Sequence, residues 1–100
     1  MSVLDSKNTK KDRFSELIEV LREIAKDKWL LREFLVDILT PREIEEISNR
    51  WQIVKMLKAQ IPHHIIAHKL RVGVETVTRG SREMSNGRGG FQLTLAKLKK

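Results

Sequence analysis

Ile61-Pro-His-His-Ile-Ile-Ala-His-Lys-Leu-Arg-Val-Gly-Val-Glu-Thr-Val-Thr-Arg-Gly-Ser81 reads as a short helix, a tight turn and a second helix. Pro62 suits the first position of a helix, where its missing N–H is not needed. Ile65, Ile66 and Leu70 follow as an apolar edge at helical spacing. Ala67 is small and lets another helix come close. Val72-Gly73 is the break, since glycine takes backbone angles that other residues resist. The apolar pattern restarts at Val74 and Val77 and runs to Gly80. Three or four residues between two short amphipathic helices is the spacing of a helix-turn-helix. Ile66, Ala67, Leu70, Val72 and Val77 are then the expected inner face. Glu75, Thr76, Thr78, Arg79 and Arg82 form the face that would meet a groove of DNA. An antiparallel helix pair that touches nothing is the other reading of this stretch.

Outward from it, the chain reads as helices throughout. Residues 1–10 are polar and mixed, as in a loose arm, and residues 11–100 are read as one helical domain. A helix over about 11–27 keeps Phe14, Leu17, Ile18, Leu21, Ile24 and Ala25 on one stripe. Asp27-Lys28 is a weak break. A second helix, about 28–38, is apolar on more than one side (Trp29, Leu30, Leu31, Phe34, Leu35, Ile38), as if covered on both. Thr40-Pro41-Arg42-Glu43 is a capping box with proline at the first helical position. The helix it starts runs to about 58 through Ile44, Ile47, Trp51, Ile53, Val54 and Leu57. Ala59-Gln60-Ile61 joins it to the helix-turn-helix, placed at about 62–84. Ser85-Asn-Gly-Arg-Gly-Gly90 reads as a flexible loop. Phe91, Leu93, Leu95 and Leu98 fit a last helix over about 91–99. Six helices and no convincing strand make the fold all-α. An open array of 100 residues has little to cover its outer helices, so a second copy of the chain is expected to supply the missing surface.

The formal net charge is +7, and its distribution favours an acidic partner on one segment. Residues 13–57 carry eight Lys/Arg against nine Asp/Glu, whereas residues 58–88 carry six against two. A further basic cluster lies at Lys97, Lys99 and Lys100. Ordinary solubilising charge is the alternative reading. The absence of cysteine excludes a disulfide framework and thiolate metal sites. No apolar run approaches a membrane span, and Met1-Ser-Val-Leu-Asp5 lacks a signal-peptide core. A soluble cytoplasmic protein is expected. His64 and His68 stand one helical turn apart, but no third ligand accompanies them, so no metal site is assigned. Imidazoles there suit contacts to backbone phosphates. Trp29 and Trp51 lie on apolar stripes and read as core. Gly87-Arg-Gly-Gly90 lacks the strand before it and the Lys-Ser/Thr after it that a phosphate-binding loop needs. No nucleophile–base pair appears, and an enzyme is not expected.

Two segments together, Leu39-Thr-Pro-Arg-Glu-Ile-Glu-Glu-Ile-Ser-Asn-Arg-Trp-Gln-Ile-Val54 and Val72-Gly-Val-Glu-Thr-Val-Thr-Arg-Gly-Ser81, resemble the Trp repressor family. The likeness covers roughly residues 14–84, and its most specific part is Thr76-Val-Thr-Arg-Gly-Ser81. The resemblance implies an intertwined homodimer with projecting reading heads, and a sequence-specific repressor acting on double-stranded DNA. It also implies L-tryptophan, or a related small molecule, as corepressor, with no other cofactor. Arg50 and Arg79 would then sandwich the indole, because guanidinium planes stack on aromatics and pair with carboxylates. Leu39 and Thr40 would border the pocket, Thr76 and Gly80 line its head side, and Ile53 and Val54 form its floor. Gly80 would leave room for the ligand. The DNA-facing set is His63, His64, Ala67, Val74, Glu75, Thr78, Ser81 and Arg82, with Lys69 and Arg88 as further candidates for phosphate.

The chain departs from the family pattern in three places. Glu83 stands where the family has a small serine near the ligand's amino group; a carboxylate there would grip an ammonium or repel a carboxylate. Arg71 replaces the usual turn glycine, so either it adopts the left-handed conformation or Gly73 takes over the turn. The segment before the first reading helix is one residue shorter, with His63 and His64 where the family reads DNA. Two alternatives stay open: an effector-independent DNA-binding protein of the same fold, and a helical dimer that serves as a protein-interaction module.

Overall fold

The computed structural model describes residues 10–99, and in them every regular element is a helix. These are α1 (Lys10–Ile24), α2 (Lys28–Ile38), α3 (Pro41–Lys58), α4 (His63–Leu70), α5 (Val74–Asn86) and α6 (Gly90–Leu98). The expected six-helix, all-α fold is the observed one. Of the expected arm only Lys10 is described, and it opens α1; residues 1–9 and Lys100 lie outside the described residues. The described residues gather into two units, one ending at Ile44 and one beginning at Glu45.

In the first unit α1 packs on α2. Asp27 starts α2 rather than ending α1: its Oδ1 accepts from the Leu30 N–H at 3.1 Å, which satisfies one of the open donors of a helix start. The capping box ahead of α3 is formed in both directions. Glu43 N–H donates to Thr40 Oγ1 at 3.1 Å, and Thr40 N–H donates to Glu43 Oε1 at 2.8 Å. The expectation that α2 is covered on both sides is not met within one chain. No α2 residue is buried, and Trp29 is 68% exposed.

The second unit is built around Ile53 of α3, Ile66 and Ala67 of α4 and Val77 of α5, all buried. Met56, Leu57, Ile61, Leu70 and Val72 pack around them. The helix-turn-helix stretch therefore closes on the inner face that the periodicity indicated. α3 and α4 end alike. At the end of α3, Ile61 N–H donates to Met56 O at 3.0 Å and Gln60 N–H to Leu57 O at 2.9 Å. At the end of α4, Val72 N–H donates to Ala67 O at 3.1 Å and Arg71 N–H to His68 O at 3.3 Å. Each is a Schellman end, whose left-handed residue is usually glycine. Here these residues are Gln60, at φ 63°, and Arg71, at φ 57°.

Three local expectations are corrected. Arg71 makes the turn, and Gly73 sits in extended backbone (φ −70°, ψ 150°) that any residue adopts. Pro62 precedes α4 as its N-cap, with a non-helical ψ of 146°. α5 continues through Ser85 and Asn86, which were expected in a flexible loop, and closes where Gly87 N–H donates to Glu83 O at 2.8 Å. Gly89, at φ 91°, then turns the chain into α6, and the Gln92 side-chain amide donates back to the Met84 carbonyl.

Arg71→Gly and Gln60→Gly should each stabilise the fold, by up to about 1 kcal/mol. Relief of left-handed strain exceeds the extra entropy that glycine loses on folding. Thr40→Ala should destabilise by about 1 kcal/mol through loss of the cap. Urea unfolding midpoints measure all three.

Candidate functional site

α3 and α5 each present a stripe at helical spacing to a common cleft of about 430 Å³. From α3 come Glu46, Asn49, Arg50 and Ile53, with Val54 beside them; from α5 come Thr76, Arg79, Gly80 and Glu83. Each set of four steps by three, one and three residues, so each lies on a single helix face. Val72 closes one end and Phe91, in the first turn of α6, another. Ile53 and Val54 are buried and make an apolar floor. The walls are charged, with two guanidiniums and two carboxylates. Among the described residues Arg50, Arg79 and Glu83 form no ion pair, so three of these charges are available to a ligand.

Seven of the nine residues expected to bind a ligand thus line one cleft. The other two, Leu39 and Thr40, lie in the first unit between α2 and α3, where Thr40 caps α3. The role expected of Gly80 is corrected in part. A Cβ there would stand 2.9 Å from Ile53 Cγ2, so the bare backbone first serves the close approach of α5 to α3. Glu46, Asn49 and Phe91 were not anticipated. Glu46 and Asn49 had a signal, since they lie four and one residues before Arg50 on the same face. Phe91 had none, because its apolar stripe already explained it. Glu83 and Phe91 also border a second cleft of about 320 Å³, formed with the glycine-rich turn and α6.

The expected DNA-facing residues divide. His64, Val74, Glu75 and Arg82 are exposed, and His63, Thr78 and Ser81 are half-buried. Ala67 is corrected: it is 8% exposed and sits in the seam between α4 and α5, so its methyl packs inside rather than facing DNA. The connection Arg71-Val-Gly73 leaves the first turn of α5 open, with Val74 49% exposed and Glu75 beside it. Lys69, Arg71, Arg79 and Arg82 add exposed cations on and around this helix pair. Among the described residues no three His, Cys, Asp or Glu side chains group as metal ligands. No described helix is long and apolar enough to cross a membrane.

A family model described as Trp repressor protein matches residues 12–99. A protein of Actinobacillus succinogenes named Trp operon repressor homolog is 37% identical over 71 residues, 70% of this chain and 69% of its own length. A protein of the same name from Vibrio campbellii is 30% identical over 74 residues, 73% of each chain. One from Vibrio parahaemolyticus is 30% identical over 74 residues, 73% of this chain and 71% of its own.

Gly80→Ala should lower the thermal midpoint. The methyl crowds Ile53, and overpacking of about 1–3 kcal/mol exceeds the helix-propensity gain of roughly 1 kcal/mol. A raised midpoint would mean that α5 backs away from α3 without penalty.

Proposed function

The chain belongs to the Trp repressor family and is a transcriptional repressor, not an enzyme, and from that premise we propose how it works. It binds duplex DNA as a homodimer, through α4 and α5, and the cleft between α3 and α5 holds a small effector that tunes this binding. The observation that carries the reading is the α4–α5 pair itself. Its seam is buried, its turn is short, and the first turn of α5 is open to solvent. In helix-turn-helix readers that turn meets base edges while the flanking cations hold phosphates. The basic excess over residues 58–88 falls on this part of the chain.

The dimer is supported by the apolar surface left open on one chain. Phe14, Ile18, Trp29, Leu30, Val36, Ile38, Leu93 and Leu98 are all exposed. Exposed apolar side chains in such number mark interaction surfaces, and a two-fold copy of the same chain would cover them while matching palindromic half-sites.

The cleft supports an effector with an aromatic plane and both charges, of which L-tryptophan is the first to test. Arg50 and Arg79 offer faces for an indole and partners for a carboxylate, and Glu83 offers a partner for an ammonium. The two carboxylates in the cleft, Glu46 and Glu83, also favour a second reading, in which the same fold binds DNA without an effector.

Calorimetry with L-tryptophan separates these readings. One site per chain is expected; no heat, in a protein that still binds DNA, selects the effector-free reading. Arg50→Ala should leave DNA binding of the ligand-free protein intact and abolish the response to effector. Arg82→Ala should weaken binding to every duplex alike and reduce the slope of log affinity against log salt by about 1, as loss of one phosphate contact does. A wild-type protein with no salt-dependent affinity for any duplex would overturn the DNA reading and leave the interaction-module alternative.

A further inference from the structure

We infer that Glu75 is a specificity residue that reads the exocyclic amine of a cytosine in the major groove; this rests on the DNA-binding reading above. Glu75 is the second residue of α5 and is exposed. It occupies the turn of a reading helix that reaches base edges. Among the described residues it forms no ion pair. It is also one of two acidic residues, with Glu83, in the basic segment 58–88.

An anion in that place opposes phosphate binding, so it weakens attachment to DNA in general. The opposition is offset only where the carboxylate meets a donor. On the floor of the major groove the donors are the amines of cytosine N4 and adenine N6, whereas guanine and the thymine carbonyl present acceptors. Cytosine is the better match, because it offers its amine without the N7 acceptor that adenine sets beside N6. Glu75 therefore discriminates by penalty as well as by contact.

The local backbone gives the side chain a resting place. Its Oε1 comes close to where a Cβ on Gly73 would stand, so the carboxylate is folded back toward the start of α5. Gly73 has ordinary extended backbone, and a Cβ there would meet only the flexible end of Glu75, so the side chain can leave this resting place. A carboxylate folded over a helix start also complements the helix dipole. That role predicts an effect on stability with no effect on base preference, and the two are separable.

The test is selection of binding sites from a randomised duplex library by the full chain and its Glu75→Ala and Glu75→Gln variants, with thermal midpoints alongside. The wild type is expected to prefer cytosine at one position of each half-site by roughly tenfold, within the range of a base-edge contact. Glu75→Ala should lose that preference alone and bind non-specific duplex several-fold more tightly, as one repulsive charge is removed. Glu75→Gln should move the preference to adenine, which an amide pairs with through N6 and N7. A Glu75→Ala variant with unchanged preference at every position and only a lower midpoint would overturn the proposal, leaving Glu75 as a helix-start residue. A wild type that enriches no sequence but still binds duplex overturns it too, while one that binds no duplex removes the DNA reading as well.

Discussion

Ile53 touches α5 at the one position where that helix presents no side chain, Gly80, and much of the second unit follows from this contact. Ile53 belongs both to the buried seam with Ile66, Ala67 and Val77 and to the floor of the cleft. The packing that seats the helix pair is therefore continuous with the packing under any ligand. A change in the cleft that moves Ile53 is felt in the seam, because closely packed interiors do not yield by small continuous amounts. This is a direct physical link between the cleft and α5, with one isoleucine side chain between them.

The core that does this is small. Among the described residues five apolar ones are buried, four of them in the seam, while large apolar side chains on α1, α2 and α6 remain in solvent. A single chain thus leaves much of its hydrophobic surface unused, which at roughly 25 cal/mol per Å² is a large unrealised driving force. The described helices with no buried residue are α1, α2 and α6, and those that form the seam are α3, α4 and α5.

What the sequence made legible was local. The capping box of Thr40 and Glu43 is written in adjacent residues and formed as written. The α4–α5 inner face followed from periodicity, and seven of the cleft residues on α3 and α5 followed from the family motif. The errors share a cause, which is that the deciding partner is distant or geometric. Gly73 drew the turn toward itself because glycine is the usual left-handed residue, yet hydrogen bonds from Val72 and Arg71 place the turn two residues earlier. Ala67 is small enough for either a groove or a seam, and only the approach of α5 decides. Trp29 lies on an apolar stripe, but a stripe does not say whether its own chain covers it. Phe91 shares the cleft with Arg50 and Glu83 across forty-one and eight residues of sequence, a juxtaposition no spacing rule carries.

The ends of α4 have a further consequence. Gln60, which closes α3, and Arg71, which closes α4, are both held left-handed without glycine's freedom, each at about 1–2 kcal/mol of strain. Between them lie only eight helical residues, too few to persist as a helix without tertiary support. α4 is thus a short segment strained at its C-terminal end, kept in place by Ile66 and Ala67 in the seam. Local unfolding begins where the free energy of opening is smallest. Within the helix pair α4 is the shorter member and the one with a strained end, so the pair is expected to open from it.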